Sequence, residues 1–286
     1  MTTEIRVTTQ LLNVVLRPRS VAERAFRSTV LAPGFEPTPS LDLQYLGGRT
    51  LPALGYRLVY LGDWPERERH SLDIALAAAM TDPGLNDVLA QYFPGKPVTT
   101  TFAGSLVHAG VVPGVMEKQT IEAFVAQLDE RPSDDVVVCI ALPRGTVLSE
   151  GGVTSEQGLG GFHGSVHADG TTVYYAVAVY SEGGNGIVGF DEPWKNVCAT
   201  LYHELQETRT DPDVEDAIRA GNAPDATKFL GWYSPEGGEI GDIPIAETHG
   251  DIRLVLKEVP LAAGGTAPVQ LMWSNRVGGP EGPPVS

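Results

Sequence analysis

The stretch WKNVCATLYHELQET, residues 194–208, decides the fold that we expect for this chain. At 100° per residue its apolar side chains fall on one stripe of a helix, and its polar side chains fall on the opposite side. An amphipathic helix of this kind buries its stripe against another layer of the protein. We therefore expect residues 194–209 to form a helix that packs on a sheet through Val197, Cys198, Leu201, Tyr202 and Leu205.

The polar side of this helix has the spacing of a metal-binding helix. His203 and Glu207 lie one turn apart, so their side chains can converge on one cation. The letters HELQE follow the H-E-x-x-H pattern of zinc peptidases, with Glu207 in place of the second histidine. Glu204 lies about 100° further round the helix, where a carboxylate can act as a base towards a metal-bound water. The alternative interpretation is an ordinary solvated helix face.

Acidic residues after the helix offer further metal ligands. Asp211 and Asp213 follow it directly, and the turn-rich segment GWYSPEGGEIGDIPI, residues 231–245, brings Glu239 and Asp242 near two aromatic residues. We expect Glu239 to be the third ligand, ahead of Asp242 and Asp213. An acidic residue on a later helix, strand or loop can supply the last ligand of a site whose first ligands lie on one helix.

The donor atoms limit which cation is expected. Imidazole nitrogen and carboxylate oxygen together suit zinc. Replacing the second histidine by Glu207 makes the site harder and more anionic, so calcium or manganese is the alternative.

The rest of the chain mixes strands and helices. Runs of β-branched and apolar residues predict strands at 4–17, 56–64, 134–143, 172–180 and 269–275. Helical spacing predicts helices at 65–80, 84–93 and 116–130. A strand that feeds a helix predicts an α+β fold with a mixed central sheet.

The expected organisation is one main domain over residues 51–276. Residues 1–50 are expected to form an N-terminal strand and loop extension. Residues 277–286 are expected to be a disordered tail, because they are rich in glycine and proline.

A glycine-rich hairpin precedes the helix in the sequence, over residues 151–170. It is not a phosphate-binding loop, because neither a helix nor a Lys-Ser/Thr pair follows its glycines. His163 lies in this hairpin and can approach the site as a substrate-binding or transition-state donor, and Tyr233 can stabilise an oxyanion in the same way. A flexible edge loop is the other interpretation of the hairpin.

Composition excludes some classes of partner. The chain has 36 acidic and 20 basic residues, a formal charge of −16, which repels nucleic acid and anionic membranes. Cys139 and Cys198 both lie in apolar runs, so we expect two buried thiols. The sequence as written begins with no leader-like segment and has no apolar run of 18 residues, which favours a cytoplasmic location.

Four segments resemble a known family. HELQETRTDPD, GWY, GGEIGD and VQLMWSN are similar to bacterial proteins with an H-E-[LVY]-x-E-x-x-T-D-P pattern, relatives of the plant EXORDIUM (phosphate-induced) proteins. The resemblance extends over residues 55–275. It implies a zincin-like metallopeptidase fold with a mixed twisted sheet and an active-site helix. It places these residues in shared motifs: His203, Glu204, Glu207, Asp211, Glu239 and Asp242.

Together, the helix and the resemblance predict a metal-dependent hydrolase with a peptide or protein substrate. Glu204 is the expected base, and His163 or Tyr233 the expected oxyanion donor. The alternative is a non-catalytic EXORDIUM-like binding protein that holds a structural cation or no metal.

Overall fold

The computed structural model of the chain describes residues 6–8, 30–128, 133, 135–168, 170–221, 223 and 225–282. The α-helices are α1 (Glu66–Thr81), α2 (Lys118–Ala126), α3 (Pro193–Thr210), α4 (Val214–Ala220) and α5 (Asp242–Glu247). Short 3-10 helices cover Pro39–Leu41, Leu85–Tyr92, Ser155–Gln157, Ala226–Phe229 and Ile252–Leu254. The strands are β1 (Arg6–Thr8), β2 (Val30–Leu31), β3 (Gln44–Tyr45), β4 (Ala53–Leu61), β5 (Thr99–His108), β6 (Val115–Glu117), β7 (Val136–Ala141), β8 (Val147–Glu150), β9 (Val153–Thr154), β10 (Gly161–Ala168), β11 (Thr171–Ala178), β12 (Trp232–Tyr233), β13 (Leu256–Pro260), β14 (Thr266–Gln270), β15 (Trp273–Ser274) and β16 (Gly279–Gly282).

A six-stranded mixed sheet forms the centre of the fold, in the order β1-β5-β4-β7-β11-β10. The inner strands β5, β4, β7 and β11 are parallel to one another, whereas β1 and β10 pair antiparallel at the two edges. Parallel strands that are covered on both faces are apolar throughout, and β7 is the largely buried run VVVCIA. The expected α+β class with a mixed sheet is confirmed.

Helices cover both faces of this sheet. Neighbouring residues of a strand point to opposite faces. Leu58 of β4 therefore joins the apolar cluster that contains α1 and α3, whereas Val59 joins the cluster that contains α2. Helix α3 thus lies in the layer under the sheet, as its apolar stripe predicts.

Helix α3 is also buried on its polar side. It begins at Pro193, in the first turn, where the missing N–H of proline costs nothing. Asn196 is 1% exposed, His203 7% and Glu207 2%, because β10, β14 and α1 pack around the helix together with β11. The interpretation of this side as a solvated helix face is therefore wrong.

A buried guanidinium anchors the C-terminal end of α3. Arg209 is 1% exposed and donates hydrogen bonds to the carbonyl oxygens of Pro52 and Thr99, at the starts of β4 and β5. Burial lowers the pKa of Arg209 to about 10. The last turn of α3, which contains Glu207, is thereby tied to the central sheet.

The ends of the described chain are paired with the main domain. Residues 30–50 are not a separate extension, because β2 pairs with β16 and β3 pairs with β12. The expected disordered tail is corrected for residues 279–282, which form β16 between β15 and β2. Backbone pairing orders this segment despite its glycines and prolines, whereas residues 283–286 lie outside the described residues. Of the strand expected over 4–17, residues 6–8 form β1 and the rest lie outside the described residues.

One further expectation from the sequence is confirmed. Cys139 and Cys198 are free, buried thiols, as expected. Among the described residues, no helix is both long and apolar enough to cross a membrane.

Candidate metal centre

The side chains of His203 and Glu207 meet on one side of α3. Their Nε2 and Oε2 atoms are 3.0 Å apart, which is the convergence expected from their spacing of four residues. Asp242, the first residue of α5, brings its Oδ1 atom to 3.7 Å from His203 Nε2. These three residues form one group whose ligand atoms all lie within 4.8 Å of one another.

A second group forms around His163, which β10 brings over the same helix. His163 Nδ1 lies 3.4 Å from Glu204 Oε2 and 3.6 Å from Glu207 Oε2. Glu207 therefore belongs to both groups. The close approach of β10 depends on Gly161, because a Cβ atom there would lie 2.8 Å from Thr200 Cγ2 on α3 and 2.3 Å from the backbone oxygen of Val177.

These separations suit a small cation. Two atoms bound to a tetrahedral zinc at about 2.0–2.1 Å lie roughly 3.3 Å apart. The contacts of His203 and His163 with Glu207, at 3.0 and 3.6 Å, bracket that value. Imidazole nitrogen is a common ligand of zinc, whereas calcium and manganese prefer oxygen ligands.

In both imidazole rings, the nitrogen on the side away from the α3 carboxylates lies within hydrogen-bonding distance of an oxygen atom. His163 Nε2 lies 3.2 Å from the backbone oxygen of Asp211, and His203 Nδ1 lies 3.0 Å from Oε1 of Gln270. A histidine that holds a metal commonly donates its other ring N–H to an oxygen in this way. Each ring therefore directs its remaining nitrogen at the carboxylates of α3.

Backbone groups orient Glu207. Its Oε1 atom accepts hydrogen bonds from the N–H groups of Gly241 and Asp242, both at 3.1 Å. Burial opposes ionisation, but the neighbouring His203 and His163 lower the pKa of Glu207 to about 2. Oε1 is thus hydrogen-bonded to the backbone at the start of α5, and Oε2 faces the two histidines.

The centre is rich in negative charge. Within the described residues, the carboxylates at the centre form their ion pairs with histidines. Burial, and then repulsion from Glu207, raises the pKa of Glu239 well above its usual range. Repulsion from Glu207 raises the pKa of Asp242 to about 7, and burial raises that of Asp211 to about 7. Bound protons reduce this excess of buried charge, and a divalent cation would do the same.

Burial and neighbouring charge act in opposite directions on the two histidines. Burial lowers their pKa, but Glu239 acts most strongly to raise that of His163, and Glu207 that of His203. Both pKa values end well above the usual range. Burial also raises the pKa of Glu204, a direction that suits a proton-transferring carboxyl group.

The remaining predicted residues lie around this centre, but not in the two groups. Glu239 lies behind His163, with Oε1 3.5 Å from Nε2. Asp211 accepts a hydrogen bond from the Gly231 N–H through Oδ1, and Asp213 accepts one from the Tyr174 hydroxyl. The geometry therefore favours Asp242 over Glu239 and Asp213, whereas the sequence led us to expect Glu239 ahead of Asp242.

Three atoms near the centre bear on its chemistry. The Oδ2 atom of Asp211 and the Oε1 atom of Glu239 are buried and have no hydrogen-bond partner among the described residues. Burial, together with the charges of Glu239 and Asp211, raises the pKa of the half-buried Tyr233 hydroxyl. Tyr233 therefore keeps its proton and remains a hydrogen-bond donor.

Gly241 leaves room for both ligands of α3, and this predicts a sensitive position. Its φ of −92° is open to any residue, but a Cβ atom would lie 2.5 Å from His203 Nδ1 and 2.8 Å from Glu207 Oε1. We expect Gly241→Ala to displace one or both ligands and to weaken metal binding by at least about tenfold, as loss of ligand orientation does elsewhere. The dissociation constant for zinc, measured by chelator competition, checks this.

Gly184→Ala is the matched control, because a Cβ atom there meets nothing within 4 Å. It should bind zinc as tightly as the wild type does. Equal affinity in the Gly241→Ala variant would mean that the loop does not shape the site.

Comparison with known proteins gives no match for this chain. No family model, no curated protein and no solved structure matches the chain. The buried histidines and carboxylates are therefore the basis for assigning a function.

Proposed function

We propose that this chain is a zincin-like metal-dependent hydrolase that acts on peptides, with zinc as its cation. The observation that supports this most strongly is the approach of His203 Nε2 and His163 Nδ1 to the same oxygen, Glu207 Oε2. A mixed sheet with α3 packed against it is compatible with the fold that the resemblance implies.

The residues have distinct roles in this proposal. His203, Glu207 and Asp242 hold the ion, and His163 approaches it from β10. The ion supplies a water whose pKa falls towards about 7 and polarises the carbonyl of the substrate. Glu204 acts as the base, since its carboxylate adjoins His163 and lies 3.9 Å from His203 Nε2. Tyr233 donates to the oxygen on which negative charge develops.

Burial of the centre supports a second candidate, a non-catalytic protein with a closed structural cation. His163, Glu204 and Glu207 are all at most 4% exposed, whereas the Asp242 side chain is 60% exposed. A structural ion is closed by protein ligands, whereas a catalytic ion keeps a position for water. In the hydrolase, the side on which Asp242 lies is the route for substrate.

Peptide hydrolysis distinguishes the two candidates. The tag-free protein, loaded with zinc, should cleave members of an unbiased peptide library. Cleavage should stop after chelation and return when zinc is added back. A protein that holds zinc but cleaves nothing in the library would support the structural-cation alternative.

A further inference from the structure

Gln270 lies between the metal centre and the loop before α5, at the end of β14. It is 3% exposed. Its Oε1 atom is 3.0 Å from His203 Nδ1, and its Nε2 atom is 2.6 Å from the backbone oxygen of Gly241. The side-chain amide therefore bridges a candidate metal ligand and a backbone carbonyl.

The hydrogen-bonding capacities in this bridge determine where each proton lies. The backbone oxygen of Gly241 only accepts, so the NH₂ group of Gln270 must face it. Oε1 of Gln270 then faces His203, and this oxygen also only accepts. His203 Nδ1 must therefore carry a hydrogen and donate it.

The opposite nitrogen of the ring is left for the site. His203 Nε2 points at Glu207 Oε2, 3.0 Å away, and at Asp242 Oδ1, 3.7 Å away. In the neutral ring with hydrogen on Nδ1, Nε2 presents a lone pair to these oxygens. Lone pairs that face one another need a positive charge between them, either a second proton on the ring or a metal ion that displaces this proton.

We propose that Gln270 is a positioning residue that holds His203 in the tautomer with hydrogen on Nδ1, so that Nε2 is available to a metal ion. Gln270 acts through His203 and does not contact the ion. This inference rests on the proposed metal centre and gives a role to a residue of the segment VQLMWSN to which the sequence assigned none.

Without Gln270, His203 has a competing arrangement. An imidazole with no acceptor at Nδ1 can move its hydrogen to Nε2 and donate it to Glu207, 3.0 Å away. That arrangement satisfies the pair with no metal ion. Gln270 disfavours it, because Oε1 would then face the lone pair on Nδ1.

Gly241 couples the two metal ligands of α3 through this bridge. Its N–H donates to Glu207 Oε1, and its carbonyl accepts from Gln270. One glycine therefore sets the orientation of the Glu207 carboxylate directly and the tautomer of His203 through Gln270.

Replacing Gln270 by leucine tests the proposal. Gln270→Leu should weaken zinc binding by about 10–100-fold, the range typical for the loss of a partner behind a metal ligand. The ¹⁵N spectrum of the zinc-loaded wild-type protein should show His203 with its proton on Nδ1. Gln270→Glu keeps an oxygen for the Nδ1 hydrogen but loses the donor to the Gly241 carbonyl, so it should recover part of the zinc affinity that Gln270→Leu loses.

Gln206→Leu is the matched control for the loss of a buried amide. Gln206 lies on the same helix, is fully buried and bonds to Asn86 and Arg209. The Gln206→Leu substitution should lower the melting temperature but leave zinc affinity and the His203 tautomer unchanged.

The outcomes separate the two proposals. Zinc affinity unchanged in Gln270→Leu, or lowered equally in Gln206→Leu, overturns the positioning role while the metal centre stands. A wild-type protein that takes up no zinc overturns the proposed function itself.

Discussion

Replacing Glu204 by glutamine is expected to lower peptide hydrolysis by at least about 100-fold, the effect typical of losing a general base. Glutamine preserves the shape and hydrogen-bonding ability of the side chain but removes its basic carboxylate. Because His203, Glu207 and Asp242 still hold the ion in this account, the variant should retain its zinc. Rates on a peptide that the wild type cleaves, measured together with zinc content, check both statements.

A second buried carboxylate provides the control for this substitution. Glu281 is 7% exposed and accepts a hydrogen bond from Ser274, but it belongs to β16 and to neither ligand group. Glu281→Gln should hydrolyse peptides at the wild-type rate. If Glu204→Gln cleaved as fast as the wild type, Glu204 would not be the base. If it lost its zinc instead, Glu204 would be a ligand.

Replacing Glu207 by alanine is expected to abolish stoichiometric metal binding. Glu207 belongs to both groups of possible ligands, so its removal takes one ligand from each group. His203→Ala should have a similar effect, because it removes the histidine of the group that contains Asp242. In each variant, zinc affinity should fall by more than the 10–100-fold that is typical when a hydrogen-bond partner of a metal ligand is removed. Zinc content after dialysis against a weak chelator is the measurement.

His167→Ala is the matched control for these ligand variants. His167 lies on β10 like His163, but its Nε2 atom pairs with Asp216, 2.9 Å away. This variant should keep its zinc. If Glu207→Ala and His203→Ala both retained zinc as the control does, the interpretation of α3 as a metal-binding helix would be wrong.

The sequence alone predicted the local features of the site. The position of α3, its apolar stripe and the convergence of His203 with Glu207 all follow from a period of 3.6 residues, which short stretches of sequence contain. The hairpin of β10 and β11 follows in the same way from a strand pattern near a glycine-containing turn.

Contacts between distant segments were not predictable in this way. The burial of the polar side of α3 depends on β10 and β14 packing against it, and no local pattern in α3 reports that. His163 was expected as a donor to substrate, yet the register of β10 brings it beside Glu204 and Glu207. Gln270 and Gly241 lie in two of the segments that carry the resemblance, but the sequence assigned neither of them a role.

Elemental analysis of the wild-type protein, purified without a metal-affinity tag, tests the central claim most directly. A chain whose buried histidines and carboxylates form a metal centre should contain about one zinc ion per molecule. After chelation it should regain that ion from a zinc solution. A protein that contains no stoichiometric metal as purified, and takes up none when zinc is supplied, would contradict the account.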